Sequence, residues 1–149
     1  MNLGAFAVVI TIARKTRSGE ISSYGGLFQY APGLTLAMTI FLFSLAGIPP
    51  VGGWWAKFEI FRVLTTGGSS AGIALAVVAA VNSVVAAFYY LSIAKQMWFM
   101  PVPDEDRSPI FVPSALMVAL VVTVFVTIVT GNVLIGPLSD MTDFAVALP

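Results

Sequence analysis

Four apolar stretches separated by short polar segments organise this chain: 1–13, 32–66, 71–99 and 110–138. The third and fourth carry no charge at their centres and are long enough to cross a ~30 Å hydrocarbon core with some tilt. The first is short, reaching only about 20 Å as a helix before Arg14, Lys15 and Arg17 follow it. A secretory signal has its positive residues ahead of the apolar run and a small-residue cleavage site behind it, and this segment has neither. The pattern predicts a helix over 1–13 whose beginning is missing, so that Met1 lies inside a membrane helix.

The second stretch is punctuated by Gly47-Ile-Pro-Pro-Val-Gly-Gly. Its halves hold roughly 16 and 13 residues, about 24 and 20 Å as helix, too short for two crossings. One unbroken helix is excluded as well, because each proline removes a backbone bond and clashes with the preceding turn. A single crossing built from two half-helices around an unwound centre is the preferred reading, with a re-entrant pair as runner-up. Unwound backbone survives at membrane depth only where protein or a water-filled cavity satisfies it.

The basic residues at the loops fall on one side of such a topology, with Arg62, a turn or so from the outer end of the second stretch, the one ambiguous charge. Arg14, Lys15, Arg17, Lys95 and Arg107 flank the segments 14–31 and 101–109, whereas the 67–70 junction and the 139–149 tail have none. Those basic segments are therefore expected to be cytoplasmic. The alternation holds only if 32–66 crosses once. The whole is expected to be an all-α membrane protein, a single multi-pass domain in a bacterial plasma or inner membrane. Its parts are a helix at 1–13, a loop with a short amphipathic element at 14–31, a broken helix at 32–66, helices at 71–99 and 110–138, a loop at 101–109, and the tail.

Composition narrows the chemistry. Hydrophobic residues make up 58% and charged ones 9%, against about 25% charged in soluble domains, so this surface was not built to face water. A net charge of zero without charge blocks gives nucleic acid no purchase. With no cysteine and no histidine, disulfides, thiolate chemistry, histidine-ligated haem and the usual zinc sites are excluded, and no cofactor is expected. Proton chemistry is left to lysine, arginine, aspartate, glutamate and water.

Lys57 is the foremost candidate. Thr66 closes its helix nine residues later, placing Lys57 roughly 13 Å below the outer edge, near the midplane. An ionisable group there costs about 2.5–3.5 kcal/mol on insertion scales, and half-helix ends are where transporters keep ion-handling groups. A lysine snorkelling to the interface is the bland alternative, and the depth argues against it. Asn82 and Ser83 are expected at a similar depth on the next span, where they complete a candidate polar path or merely bond between packed helices. Glu59 could join that path, although its spacing from Arg62 favours a structural ion pair. Lys95, beside Trp98 at a helix end, reads as an interface anchor. Trp54 and Trp55 pack at the break, which Gly47, Pro49, Pro50, Gly52 and Gly53 form through their backbones.

The run Ser44-Leu-Ala-Gly-Ile-Pro-Pro-Val-Gly-Gly-Trp-Trp-Ala-Lys-Phe resembles the last broken helix of subunit N of proton-pumping NADH–quinone oxidoreductase, respiratory complex I. Asn2-Leu-Gly-Ala-Phe-Ala-Val-Val, Tyr24-Gly-Gly-Leu, Val81-Asn-Ser-Val and Tyr89-Tyr-Leu resemble the same family in order, while the last span is generic. The resemblance implies part of an antiporter-like fold of inverted repeats. It implies a non-redox, proton-translocating subunit whose partners are other membrane subunits, the lipid bilayer and protons. Lys57 matches the family's lysine of the central polar path, coupled to quinone reduction. The chain alone is not expected to catalyse anything. Trp54 and Glu59 depart from the family pattern. A cation/proton antiporter subunit of the same fold, or a membrane-assembly segment without ion traffic, are the alternatives.

The topology has a direct check, because the chain has no native cysteine. Cysteines placed singly at Ser22 and Ser108 should label from one face of the membrane and one at Ser70 from the other. Labelling of Ser70 and Ser22 positions from the same face would exclude a single crossing by 32–66.

Overall fold

The computed structural model describes residues 1–103 and 106–132. Six α-helices follow one another: α1 (Asn2–Thr16), α2 (Leu27–Tyr30), α3 (Pro32–Ala46), α4 (Gly52–Thr66), α5 (Ser70–Phe99) and α6 (Ser114–Asn132), with a 3₁₀ turn at Ile21–Tyr24. Among the described residues there is no strand. Two helices, α5 and α6, are long and apolar enough to cross a membrane. The segment expected as one broken helix is given as two separate 15-residue helices, α3 and α4.

Local chemistry explains the boundaries. Helix α1 runs past Ala13 to Thr16 because Arg14 and Lys15 suit the negative end of a helix, and it stops where Arg17 turns left-handed at φ 51°. Pro32 opens α3, where its missing N–H is no loss, and Gly47 closes it at φ 81°. The Ser69 hydroxyl accepts the Gly72 amide at 3.0 Å and starts α5. The fourth span begins at Ser114 rather than 110, since Pro113 disfavours helical backbone in the residue before it. Residues 133–138 of that span, and the 139–149 tail, lie outside the described residues.

Helix α3 is the centre of the bundle. Its Leu34, Met38, Phe41 and Leu42 recur at helical spacing and are buried against Ala5, Val8 and Ile12 of α1, Ala94 and Met97 of α5, and Leu120 of α6. Gly4 lies flat on the Phe41 ring, leaving no space for a side chain. Trp98 ties α5 to the core twice: its indole N–H donates to Thr39 Oγ1 at 2.9 Å, and its ring stacks on Phe28 at 4.5 Å. By contrast the outer faces of α5 and α6 expose Val77, Val81, Val84, Phe88, Val121 and Phe125. That is the surface a lipid-facing helix presents, and the protein is a multi-pass membrane protein.

The basic end of the bundle is closed by a polar clasp. Lys15 Nζ donates to the Ser108 carbonyl at 2.6 Å, approaches Asp106 Oδ2 at 3.7 Å and stands 4.2 Å over the Tyr30 ring. Hydrogen bonds from the Ser108 backbone amide and hydroxyl, and then the Lys15 ammonium, hold the Asp106 carboxyl below its usual value. A carboxyl depressed by folding contributes stability above its unfolded pKa and loses it as pH falls through the folded value. A spin label at Arg107→Cys should therefore gain mobility only on acidification below the ordinary carboxylate range. Asp106→Asn should be mobile already at neutral pH and indifferent to acid.

Candidate ion-handling site

Residues 47–51 connect α3 to α4 as a turn rather than as helix, through a cis Pro49–Pro50 peptide. Two helix ends meet there, and each must find partners for backbone groups its own helix cannot serve. The residue preceding α4, Val51, has no side-chain oxygen to offer the first amides. Ser44 supplies one from α3: its buried Oγ accepts the Gly53 N–H at 3.0 Å. The approach is so close that a Cβ on Gly53 would overlap the Ser44 carbonyl.

Lys57 lies one turn further along α4, on the face Gly53 presents to α3. Its ammonium donates to the carbonyls of Ala46 at 2.7 Å and Leu45 at 3.1 Å, the last of α3. A cation is electrostatically favoured at that end of a helix, where unpaired carbonyls concentrate negative charge. The lysine stem crosses Gly47, whose added Cβ would come within 2.6 Å of Lys57 Cδ. Gly47 is thus glycine for its left-handed backbone and for the lysine that passes over it. Among the described residues, no carboxylate forms an ion pair with Lys57.

Helix α6 covers the other side of the junction. Asn132 Nδ2 donates to the Pro50 carbonyl at 3.0 Å, and Gly131 packs so tightly on Pro50 and Val51 that a Cβ would collide with their backbone. Thr127 and Thr130 close a cavity of about 220 Å³ against Ser44, Gly52 and Gly53. Both hydroxyls donate back to their own helix, Thr127 to Thr123 and Thr130 to Val126. The span that reads as generic therefore supplies a wall of the site. A polar and small-residue stripe at helical spacing (Thr123, Thr127, Thr130, Gly131) in an otherwise apolar run was the available signal.

The remaining candidates spread out. Glu59 Oε2 accepts from Arg62 Nε at 3.0 Å, while Oε1 is buried without a partner. Asn82 is exposed on α5, and its side chain bonds neither Lys57 nor the carbonyls around Pro49. Ser83 is half-buried nearby, and Lys95 is exposed at the far end of α5. Trp54 stacks on Phe58 at 5.3 Å and Trp55 tilts against it at 5.6 Å, so the tryptophans brace α4 itself. No group of metal-ligating side chains occurs among the described residues.

Residues 1–83, which include α1, both sides of the junction and Lys57, match the family described as NADH:quinone oxidoreductase/Mrp antiporter, transmembrane region. The chain belongs to this antiporter-like membrane family. It is 40% identical over 134 residues to a NADH-quinone oxidoreductase subunit N of Trichlorobacter lovleyi, covering 88% of the chain and 26% of that protein. A subunit N 1 of Herpetosiphon aurantiacus is 37% identical over 99% of the chain and 29% of its own length. A protein named NAD(P)H-quinone oxidoreductase subunit 2, of Prochlorococcus marinus, is 36% identical over 98% of the chain and 29% of its length. The resemblance to subunit N is borne out by these relatives, of which the chain spans 26% to 29%, and it extends through the last span.

The tight meeting of α3 and α4 gives a stability prediction. Gly53→Ala should displace α4 from Ser44 and cost about 1–3 kcal/mol or more, the range of overpacked sites. Gly19→Ala, with open space around it, should cost little. Thermal aggregation of the two variants in the same detergent measures the difference.

Proposed function

We propose that the chain is part of a proton-translocating subunit of an NADH–quinone oxidoreductase, with Lys57 as its proton-handling group. The observation that carries this reading is the Lys57 ammonium held on two carbonyls at the end of α3, with no carboxylate among the described residues paired to it. Lysine can exchange between charged and neutral forms as a nearby charge comes and goes, whereas arginine stays protonated. The names of the relatives support the assignment to an oxidoreductase, and in that assembly this chain would bind no redox group itself. Quinone reduction elsewhere in the complex would shift the charge that Lys57 answers to.

In the same reading α3 and α4 are the halves of one discontinuous crossing. In support, α5 runs beside both in turn: Gly72 near its start abuts the Leu64 carbonyl of α4, and Trp98 near its end bonds Thr39 of α3. Gly47, Pro49, Pro50, Gly52 and Gly53 then form the break, and the segments 14–31 and 101–109 share the cytoplasmic face. Asn82 and Ser83 become polar groups that α5 offers to neighbouring membrane subunits. A second reading has its own observation, since the same two bonds make Lys57 a cap for α3 and nothing more.

The two readings separate in the assembled complex. Lys57→Ala should assemble and transfer electrons but pump far fewer protons into reconstituted vesicles, and Lys57→Arg should not restore pumping fully. Lys95→Ala should pump normally. A fully assembled Lys57→Ala complex with normal pumping would leave only the cap.

A further inference from the structure

We propose that Ser44 is a positioning residue for Lys57, its hydroxyl setting the register in which the lysine reaches the end of α3. The proposal rests on the proton-handling reading of Lys57 and goes beyond it to a residue on the opposite helix. Ser44 is 1% exposed, and its hydroxyl is engaged on both sides. It donates to Met1 Sδ at 3.1 Å and accepts from the Gly53 amide at 3.0 Å, the cap that α4 lacks in its own preceding residue. An N-terminal cap borrowed from another helix does more than satisfy an amide, because it fixes where one helix starts relative to where the other stops.

Connectivity turns that single bond into a constraint on the lysine. Gly53 and Lys57 are four residues apart, one turn along one face of α4. The carbonyls that receive the ammonium belong to Leu45 and Ala46, the two residues that follow Ser44. Ser44, its two successors, Lys57 and Gly53 therefore close a small ring across the junction. Pulling Gly53 away from Ser44 tilts the first turn of α4 and carries the lysine stem off Gly47. A hydroxyl that merely filled space would leave this geometry alone when replaced by a group of equal size.

The test uses the assembled complex and reads proton pumping per assembled complex beside the electron-transfer rate. Ser44→Ala and Ser44→Cys, the latter keeping a γ atom but as a larger and weakly accepting sulfur, should each lower pumping roughly threefold to tenfold, the span of one neutral hydrogen bond. Ser44→Thr, which retains the hydroxyl, should recover most of it. Normal pumping per complex in either Ser44→Ala or Ser44→Cys would overturn the proposal. Failure of both to assemble would make Ser44 a folding residue and overturn it equally. The parallel Lys57→Ala complex separates the two levels: normal pumping there removes the proton-handling reading itself. An inactive Lys57→Ala beside an active Ser44→Ala removes only the role of Ser44.

Discussion

The last carbonyls of one helix and the first amides of the next are hard to satisfy in a bilayer, where no water stands ready to bond them. In this chain the two sets are brought face to face and serve each other through side chains. Ser44, from α3, takes an amide of α4, and Lys57, from α4, takes two carbonyls of α3. The glycines follow from this exchange rather than from flexibility. Gly53 is small because α3 is pressed against it, and Gly47 turns left-handed beneath the lysine. Remove the exchange, and the Gly53 amide, the Leu45 and Ala46 carbonyls, the Lys57 ammonium and the Ser44 hydroxyl would each lose a partner.

Around this junction the bundle is arranged as support. Helix α1 fills one side of α3 with Val8 and Ile12 fully buried, and α6 closes the other with Leu120, Thr127 and Gly131 on a single stripe. For α5 and α6 the apolar surroundings, not propensity, decide the outcome. The β-branched valines and isoleucines of α5 and α6 are indifferent helix formers in water. They become good ones where every backbone bond must be made within the segment.

Much of this was readable in advance, and the rest was hidden for identifiable reasons. Apolar run length located α5 and α6, and the proline–glycine cluster marked where regular helix ends between α3 and α4. The partners of Lys57 are not readable, since carbonyls leave no trace in a sequence. Asn82 is the conspicuous amide of the sequence, yet it is exposed and bonds neither Lys57 nor the carbonyls around Pro49. Ser44 is only one letter of a motif in the sequence, because a serine's importance depends on which amide it meets. Helix α6 reads as generic in the sequence, and threonine in an apolar helix readily folds its hydroxyl back on its own backbone. Thr127 and Thr130 do that, and yet they line the cavity.

Helix α5 behaves as a tie-rod. At about 45 Å it is the longest element among the described residues, and it is anchored near both ends, by Gly72 against Leu64 and by Trp98 on Thr39. With those two points held apart by a stiff strut, the path through α3, the junction and α4 cannot lengthen or shorten. Any rearrangement at residues 47–51 must then appear as a sideways swing or an axial twist of the junction. Its first obstacle would be the end of α6, where Asn132 grips the Pro50 carbonyl.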